Sequence, residues 1–346
     1  MEAAQRAALV KEKAAALGFD LCGVATAGAL DPAPFSKWLA QGWSADLHYM
    51  RERVAERMDP RTLLPGAKSV IVVACSYGPE PATAGLQPEV GGLSVARYAQ
   101  NRDYHNVLLK PVRKLAAWLR ETLSAQVYAE VDAGAVAEKA WAERAGLGWI
   151  GKNGCLIHER LGSWLLLGAL VTDADLAADP PHPDRCGDCA ACLPACPTDA
   201  FPEPRFVDAR RCLAYHTIEH RGPIPRELAA EAGGRVFGCD ACQEVCPWNR
   251  RAPQATLVTL RSRPEQRSLD PADVLTLTDA AFRARFTGTP LMRAGRDGLV
   301  RSALALLQRP VPPALVPLVE SLIDDAAEGV RVEARRALLG TDQAGE

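Results

Sequence analysis

Eight of the eleven cysteines, Cys186, Cys189, Cys192, Cys196, Cys212, Cys239, Cys242 and Cys246, crowd into one short stretch, while Cys22, Cys75 and Cys155 are scattered. An odd total and an N-terminus without a signal-like apolar core argue against a disulfide framework, which leaves the thiolates free for metal. The run Cys186-Gly-Asp-Cys189-Ala-Ala-Cys192-Leu-Pro-Ala-Cys196-Pro197 has the C-x2-C-x2-C-x3-C-P spacing of bacterial ferredoxins. Three closely spaced thiolates wrap one cubane, and the fourth, turned away by the proline, reaches a second. The second run, Cys239-Asp-Ala-Cys242-Gln-Glu-Val-Cys246-Pro247, is one thiolate short, and Cys212 supplies it. The crossing rule then places Cys186, Cys189, Cys192 and Cys246 on one [4Fe–4S] cluster, and Cys212, Cys239, Cys242 and Cys196 on the other. Paired zinc knuckles would leave the triplet and both Cys-Pro endings unexplained. Radical-SAM spacing fails because Asp199 and Asn249 stand where its third thiolate belongs.

Three other patterns lose their chemistry on inspection. Gly146-Leu-Gly148-Trp-Ile-Gly151-Lys152 satisfies G-x-G-x-x-G, but it follows a helical pattern and leads into a strand, the reverse of a nucleotide-binding turn. A tight turn holding Lys152 and Asn153 near an anion is the modest reading. His216-Thr-Ile-Glu219-His220 spells H-x-x-E-H in a segment that already serves a cluster, with no further ligand in view. Asp103-Tyr104-His105 opens like a cobalamin-ligating D-x-H-x-x-G, yet Leu108 replaces the glycine.

The elements that must position these residues follow from periodicity. Residues 1–18 read as an amphipathic helix, Ser69 to Ser76 as a buried strand, and Tyr104 to Leu123 as a helix restricted by Pro111. A strand from Gln126 to Val131 delivers Asp132 at its end, where a loop residue can face a ligand. A helix over Ala135 to Ala145 follows, and Cys155 to Ile157 is expected to pair with Ser163 to Val171. The first 175 residues are therefore α+β, with the Asp- and Pro-rich stretch Asp175 to Pro183 as boundary. After Asn249 the pattern turns helical, over Gly298 to Leu307, Ala314 to Asp324 and Gly329 to Leu339.

At 346 residues, 48% hydrophobic and 24% charged, the chain can bury more than one core. Its longest apolar run, Trp164 to Thr172, is too short to cross a bilayer, and no membrane association is expected. Formal net charge is −2, which excludes a globally basic nucleic-acid coat. Residues 250–310 nevertheless hold eleven Arg against five acids, a wall suited to phosphates. A stand-alone two-cluster carrier needs far fewer residues than these, so the first 175 must hold the electron acceptor.

The chain resembles the epoxyqueuosine reductase family, cobalamin-dependent enzymes of queuosine biosynthesis. The resemblance rests on Arg57-Met-Asp59-Pro60, Ala96-Arg97-Tyr98 with Asp103-Tyr104-His105, Val131-Asp132, and Gly148-Trp149-Ile150-Gly151-Lys152-Asn153. It continues through Gly162-Ser163-Trp164 with Leu167-Gly168, the cysteine runs, Thr217-Ile218-Glu219, Gly238-Cys239-Asp240 with Cys242-Gln243, and Cys246-Pro247-Trp248-Asn249. Arg301-Ser302 departs from the family's Arg-Asn. The resemblance implies a nitroreductase-like domain binding cobalamin base-off (1–175), a ferredoxin-like module with two [4Fe–4S] clusters (176–250), and a HEAT-like helical segment contacting tRNA (251–346). It further implies reduction of epoxyqueuosine to queuosine at the tRNA wobble position, with electrons from an external low-potential donor, by a cytoplasmic enzyme expected to be monomeric. Asp132 would be the general acid for the epoxide oxygen, its pKa raised by burial against the corrin; helix capping is its alternative role. By the same carry-over Arg57 and Arg97 would meet the cobalamin periphery, Leu156 and Leu167 would line the corrin, and Lys152 and Asn153 would help. A cobalamin-dependent reductive dehalogenase and an electron-transfer protein are the rival readings.

Overall fold

The structure, a computed structural model, describes residues 1–79 and 92–339. Strands are β1 (Leu21–Thr26), β2 (Ser69–Ser76), β3 (Leu93–Val95), β4 (Val127–Glu130), β5 (Trp149–Ile150), β6 (Leu156–Ile157), β7 (Leu165–Thr172), β8 (Arg235–Phe237) and β9 (Ser268–Leu269). Helices are α1 (Ala3–Ala16), α2 (Ala33–Ala40), α3 (Val54–Met58), α4 (Tyr104–Leu123), α5 (Glu138–Arg144), α6 (Leu213–Ile218), α7 (Arg226–Glu231), α8 (Ala241–Glu244), α9 (Pro271–Leu275), α10 (Asp279–Phe286), α11 (Gly295–Ala305), α12 (Val316–Glu320) and α13 (Glu328–Leu338).

An antiparallel sheet ordered β1-β2-β7-β4 organises the N-terminal part. Every residue of β2 is buried, and the two-residue period of a strand explains why. Ile71, Val73 and Cys75 face α1 and α4, while Val70, Val72 and Ala74 face the core that contains Trp141 and Ala142 of α5. Helix α4 presents Leu108, Val112, Leu115, Ala116 and Leu119 as one stripe to the first of these layers. Asp103 caps it by accepting the His105 N–H, and Ser124 ends it in the left-handed region. Pro111 sits inside the helix without ending it.

The expected pairing of Cys155 to Ile157 with Ser163 to Val171 is corrected. Strand β6 pairs with β5, and β7 lies between β2 and β4. β7 is apolar on both faces, so the centre of a covered sheet satisfies it better than a two-stranded ribbon. The glycine run explains the β5–β6 hairpin: a Cβ at Gly148 would lie 2.0 Å from the Ile157 carbonyl oxygen. The stretch from Asp175 is strapped onto the first sheet, with Asp179 accepting the Val24 N–H and pairing with Lys11.

A second sheet, β8-β3-β9, draws one strand from before residue 175, one from the cysteine-rich stretch and one from the helical C-terminal part. It merges into a core with α9, α10, α11 and α13 through Val95, Phe237, Leu269, Leu299 and Val330. The cysteine-rich stretch is thus packed between the other two parts. No helix among the described residues is long and apolar enough to cross a membrane.

Candidate functional site

β4 ends at Glu130, whose carboxylate accepts the Ala135 and Val136 N–H groups at 3.2 and 2.6 Å and folds the following loop around itself. A Cβ at Gly134 would sit 1.6 Å from Glu130 Oε2, so any larger residue would displace the carboxylate that holds this loop. The closure drives Asp132 to φ 58°, a left-handed conformation that costs a non-glycine residue about 1 kcal/mol or more. Its N–H donates to Glu138 Oε1 at 2.9 Å. Helix α5 starts only at Glu138, capped by Ala137, so the capping alternative for Asp132 does not apply.

Asp132 Oδ2 instead accepts the Tyr104 hydroxyl at 2.8 Å and lies 3.0 Å from His105 Nε2. His105 Nδ1 lies 2.8 Å from Asp103 Oδ1, and the His105 ring stacks on Tyr104 with centroids 4.2 Å apart. Both partners come from the first turn of α4, so the helix cap and the loop after β4 build one constellation. The Asp132 side chain is open to solvent over half its surface, with Tyr104, His105 and Glu138 around it.

The upward shift expected of Asp132 is one that burial against a corrin would bring; the chain's own groups act the other way. The surrounding protein raises its pKa, but hydrogen bonds from His105 and Tyr104 and the charges of His105 and Arg293 outweigh that and leave it below the usual carboxylate value. The proton resides on His105, whose pKa is pushed up to about 9 by hydrogen bonds to Asp103 and then Asp132, against burial. Glu138, buried behind the loop, is pushed up to about 8 by burial.

Of the surroundings, Arg57, Arg97, Tyr98 and Glu219 stood in the sequence motifs, whereas Tyr49 and the Arg293–Glu219 pairing did not. Arg293, arriving from the C-terminal part, grips Glu219 at the end of α6 through three hydrogen bonds of 2.8 to 3.2 Å. Tyr49 lies within the electrostatic reach of Glu219, Arg293, Asp132 and Arg57. Tyr98 packs edge-on against Tyr104 with centroids 6.1 Å apart, which brings the turn Arg97–Ala99 to the same place. Arg97 lies over the Trp164 ring at 5.4 Å and donates its backbone N–H to Asp240. The Nε atoms of both Arg57 and Arg97 are buried without a partner. Such orphaned donors call for an acceptor from outside the chain.

Leu156 and Leu167 share one apolar cluster beside the sheet. Lys152 and Asn153 turn instead toward the cysteine-rich stretch: Lys152 Nζ donates to the Gly187 carbonyl at 2.8 Å and Asn153 Nδ2 to that of Cys242 at 3.4 Å. The H-x-x-E-H pattern is dismantled by its neighbours. His216 bonds the Arg210 carbonyl, Glu219 goes to Arg293, and His220 faces Asp46.

The eight thiols form two neighbourhoods. Cys192 feels Cys186, Cys246 and Cys189, and Cys246 feels Cys186 and Cys189; Cys212 is reached by Cys196 and itself reaches Cys239 and Cys242. Burial is the main cause that raises the pKa values of Cys192, Cys212, Cys239, Cys242 and Cys246, to about 12 at Cys239. Cations that displace those protons would relieve the cost of ionising clustered thiols. No three His, Cys, Asp or Glu groups among the described residues could hold a single metal ion, whereas a cubane distributes four thiolates over its corners. Trp149 donates its indole N–H to Cys186 Sγ at 3.4 Å and meets Trp248 edge-on at 5.1 Å, giving the first set an apolar wall. The Ala200 N–H donates to Cys196 Sγ at 3.2 Å, the kind of bond that tunes a cluster's potential. Cys189 is exposed, whereas Cys242 is largely enclosed.

Comparison with known proteins extends the geometry. Residues 185–249 match the family model described as "4Fe-4S double cluster binding domain". Residues 57–133 match that described as "Epoxyqueuosine reductase QueG, DUF1730". The epoxyqueuosine reductase of Gloeobacter violaceus is 44% identical over 88% of this chain and 96% of its own length. A crystal structure of epoxyqueuosine reductase with an epoxyqueuosine-modified tRNA-Tyr stem loop superposes with a TM-score of 0.84, at 25% identity, over 96% of this chain and 98% of that one. The Bacillus subtilis enzyme, solved with its aspartate-bearing catalytic loop swung out of the active site, gives 0.83, at 26% identity, over 96% and 98%.

Proposed function

This chain belongs to the epoxyqueuosine reductase family, and from that membership we propose how its residues reduce epoxyqueuosine to queuosine on tRNA. Two [4Fe–4S] clusters sit in the cysteine-rich stretch, split as Cys186, Cys189, Cys192, Cys246 and Cys196, Cys212, Cys239, Cys242. An external low-potential donor delivers electrons at the exposed Cys189 side, and the second set passes them toward the Asp132 constellation.

Cobalamin, bound base-off in a nitroreductase-like N-terminal domain, fits the residues present. Arg57 and Arg97 would offer their unpartnered Nε groups to its polar periphery, and Leu156 and Leu167 would face the corrin. When bound it supplies a strongly reducing, nucleophilic metal centre close to the clusters. The chain's residues do the remainder. Arg57 and Arg97 orient, the wall of Tyr49, Tyr98 and the Arg293–Glu219 pair shapes the entrance, and Asp132 faces the epoxide. Net reduction consumes two electrons and two protons, and the oxygen leaves as water, so a proton must reach that oxygen at the site. The reductive dehalogenase reading is not favoured, because the chain's close relatives act on epoxyqueuosine.

The HEAT-like C-terminal part helps hold the RNA. Its basic wall is thinner than the arginine count suggests, since Arg296 is locked to Asp325 at 2.6 Å and Arg301 is buried. Arg250, Arg251 and Arg283 are exposed without ion pairs among the described residues, and Arg283 lines a cavity of about 520 Å³ between α10, α11 and α13. These are the groups for phosphates, and a tRNA substrate places the enzyme in the cytoplasm.

The pair of orphaned arginine donors beside the Asp132 constellation carries the cofactor assignment. Anaerobically purified protein with its iron and sulfide in place is expected to take up cobalamin, and Arg57→Met together with Arg97→Met to weaken uptake. Iron-loaded protein that refuses cobalamin under reducing conditions would overturn it.

A further inference from the structure

The reading above places Asp132 at the epoxide, but an ionised carboxylate has no proton to give. The geometry beside it offers a place to keep one. His105 is clamped between two carboxylates, with Nδ1 2.8 Å from Asp103 Oδ1 and Nε2 3.0 Å from Asp132 Oδ2. Asp103 is fixed as the cap of α4, Tyr104 stacks on the imidazole and donates to the same Asp132 oxygen, and the φ of 58° at Asp132 aims its carboxylate back at the helix. The order Asp103, His105, Asp132 is a hydrogen-bonded line from helix cap to the half-open Asp132 side chain. A structural pin would need only one of those carboxylates.

We propose that His105 is the proton relay of the reduction: its Nε2–H passes to the Asp132 carboxylate, and the short-lived carboxylic acid so formed protonates the departing epoxide oxygen. This rests on Asp132 facing the epoxide. In the step, a carbon–oxygen bond breaks and the oxygen keeps the bonding pair, while the reduced enzyme supplies two electrons in all. The imidazolium becomes neutral imidazole, still held by Asp103, and Asp132 returns to a carboxylate. Since an alkoxide is a far stronger base than either group, no neutral Asp132 needs to accumulate. Solvent, which reaches the half-open Asp132 side chain, reloads the same line with the second proton, and the oxygen leaves as water.

Asp103, the cap of its own helix, and Asp132, on the loop after β4, set the charge on His105; Tyr104 stacks on the ring, and Glu138 on α5 feels the imidazole's charge. Arg293 acts from the C-terminal part, on Asp132. The two aspartates keep the imidazole protonated at neutral pH, so turnover should hold at neutrality and fall as pH rises through about 9.

The test is the pH profile of kcat for the cluster- and cobalamin-loaded enzyme on an epoxyqueuosine-modified stem loop. For His105→Gln we expect kcat to fall about 100-fold, KM to stay within about twofold, and the alkaline limb to vanish. For Asp103→Asn the limb should persist but move toward the ordinary histidine value of about 6.5, because one anionic partner is gone. In histidine-labelled protein the ring signal missing from His105→Gln should report an imidazolium at neutral pH. An unchanged kcat or an unmoved limb in His105→Gln overturns the relay; should that variant fail to fold, an unmoved limb in Asp103→Asn does so. If the relay fails while Asp132→Asn is inactive, the placement of Asp132 survives; if Asp132→Asn turns over normally, the placement itself falls.

Discussion

Asp132 joins three physical facts that seldom coincide: a left-handed backbone, a carboxylate half open to solvent, and two side-chain donors on one oxygen. Strain of this kind persists only where neighbours over-determine it, here Glu130 and Glu138. Asp132→Asn keeps the shape and removes the charge that organises Tyr104 and His105. We expect cobalamin uptake and cluster absorbance to be unchanged and turnover to fall about 10²- to 10⁴-fold; normal turnover would remove Asp132 from the chemistry. The position of Asp132 was legible, because a short strand pattern ends beside it. Its charge state was not, because its partners lie 27 and 28 residues earlier in the chain. Asp103-Tyr104-His105 carried the missing signal, an aspartate cap followed by an aromatic and an imidazole, but nothing local says that the pair meets a loop beyond the next strand.

The Gly162-Ser163-Trp164 and Cys246-Pro247-Trp248-Asn249 motifs turn out to be two halves of one buried joint. Asn249 Oδ1 accepts the Ser163 N–H at 2.6 Å, and its Nδ2 donates to Ser163 Oγ at 2.8 Å and to the Gln243 carbonyl at 2.7 Å. A Cβ on Gly162 would lie 2.0 Å from Asn249 Oδ1. Asn249→Ala leaves a buried donor and acceptor unpaired, so we expect it to cost about 3 kcal/mol and to lower the thermal midpoint of the loaded protein. An unchanged midpoint would show that the joint is not needed for stability. Arg301 makes a second joint, donating to the carbonyls of His216, His220 and Gly222 around the end of α6, whose cap is Cys212. The neighbouring Ser302 hydroxyl accepts from the same guanidinium at 3.3 Å, so the departure from the family's Arg-Asn leaves that clamp in place. The elements themselves were readable where one periodicity dominates, as in β2 and α4, whose bounds match the expected Ser69 to Ser76 and Tyr104 to Leu123. Partners were not: β6 and β7 are neighbours in sequence, yet each pairs elsewhere, a choice made by the burial of both faces of β7.

Across the whole molecule, charge and core are distributed differently from their order in sequence. Arg296 faces Asp325 with both side chains nearly covered, so Arg296→Glu should destabilise the fold by placing like charges together. Arg283→Glu should leave stability alone, weaken tRNA binding and reduce its salt slope by about 1. Equal effects of the two on binding, with both proteins equally stable, would contradict this division. A strand from each of the three chain segments meets in the β8-β3-β9 sheet, an arrangement that no local composition shift announces. Its consequence is functional, since it ties the cysteine-rich stretch to both the N-terminal part, which carries Asp132, and the helices that bring Arg293. The most direct test of the account is mass spectrometry of the modified nucleoside after a single anaerobic turnover of an epoxyqueuosine stem loop. Loss of one oxygen is expected only when the clusters and cobalamin are both loaded and reduced; the same loss without cobalamin, or none from fully loaded enzyme, would contradict it.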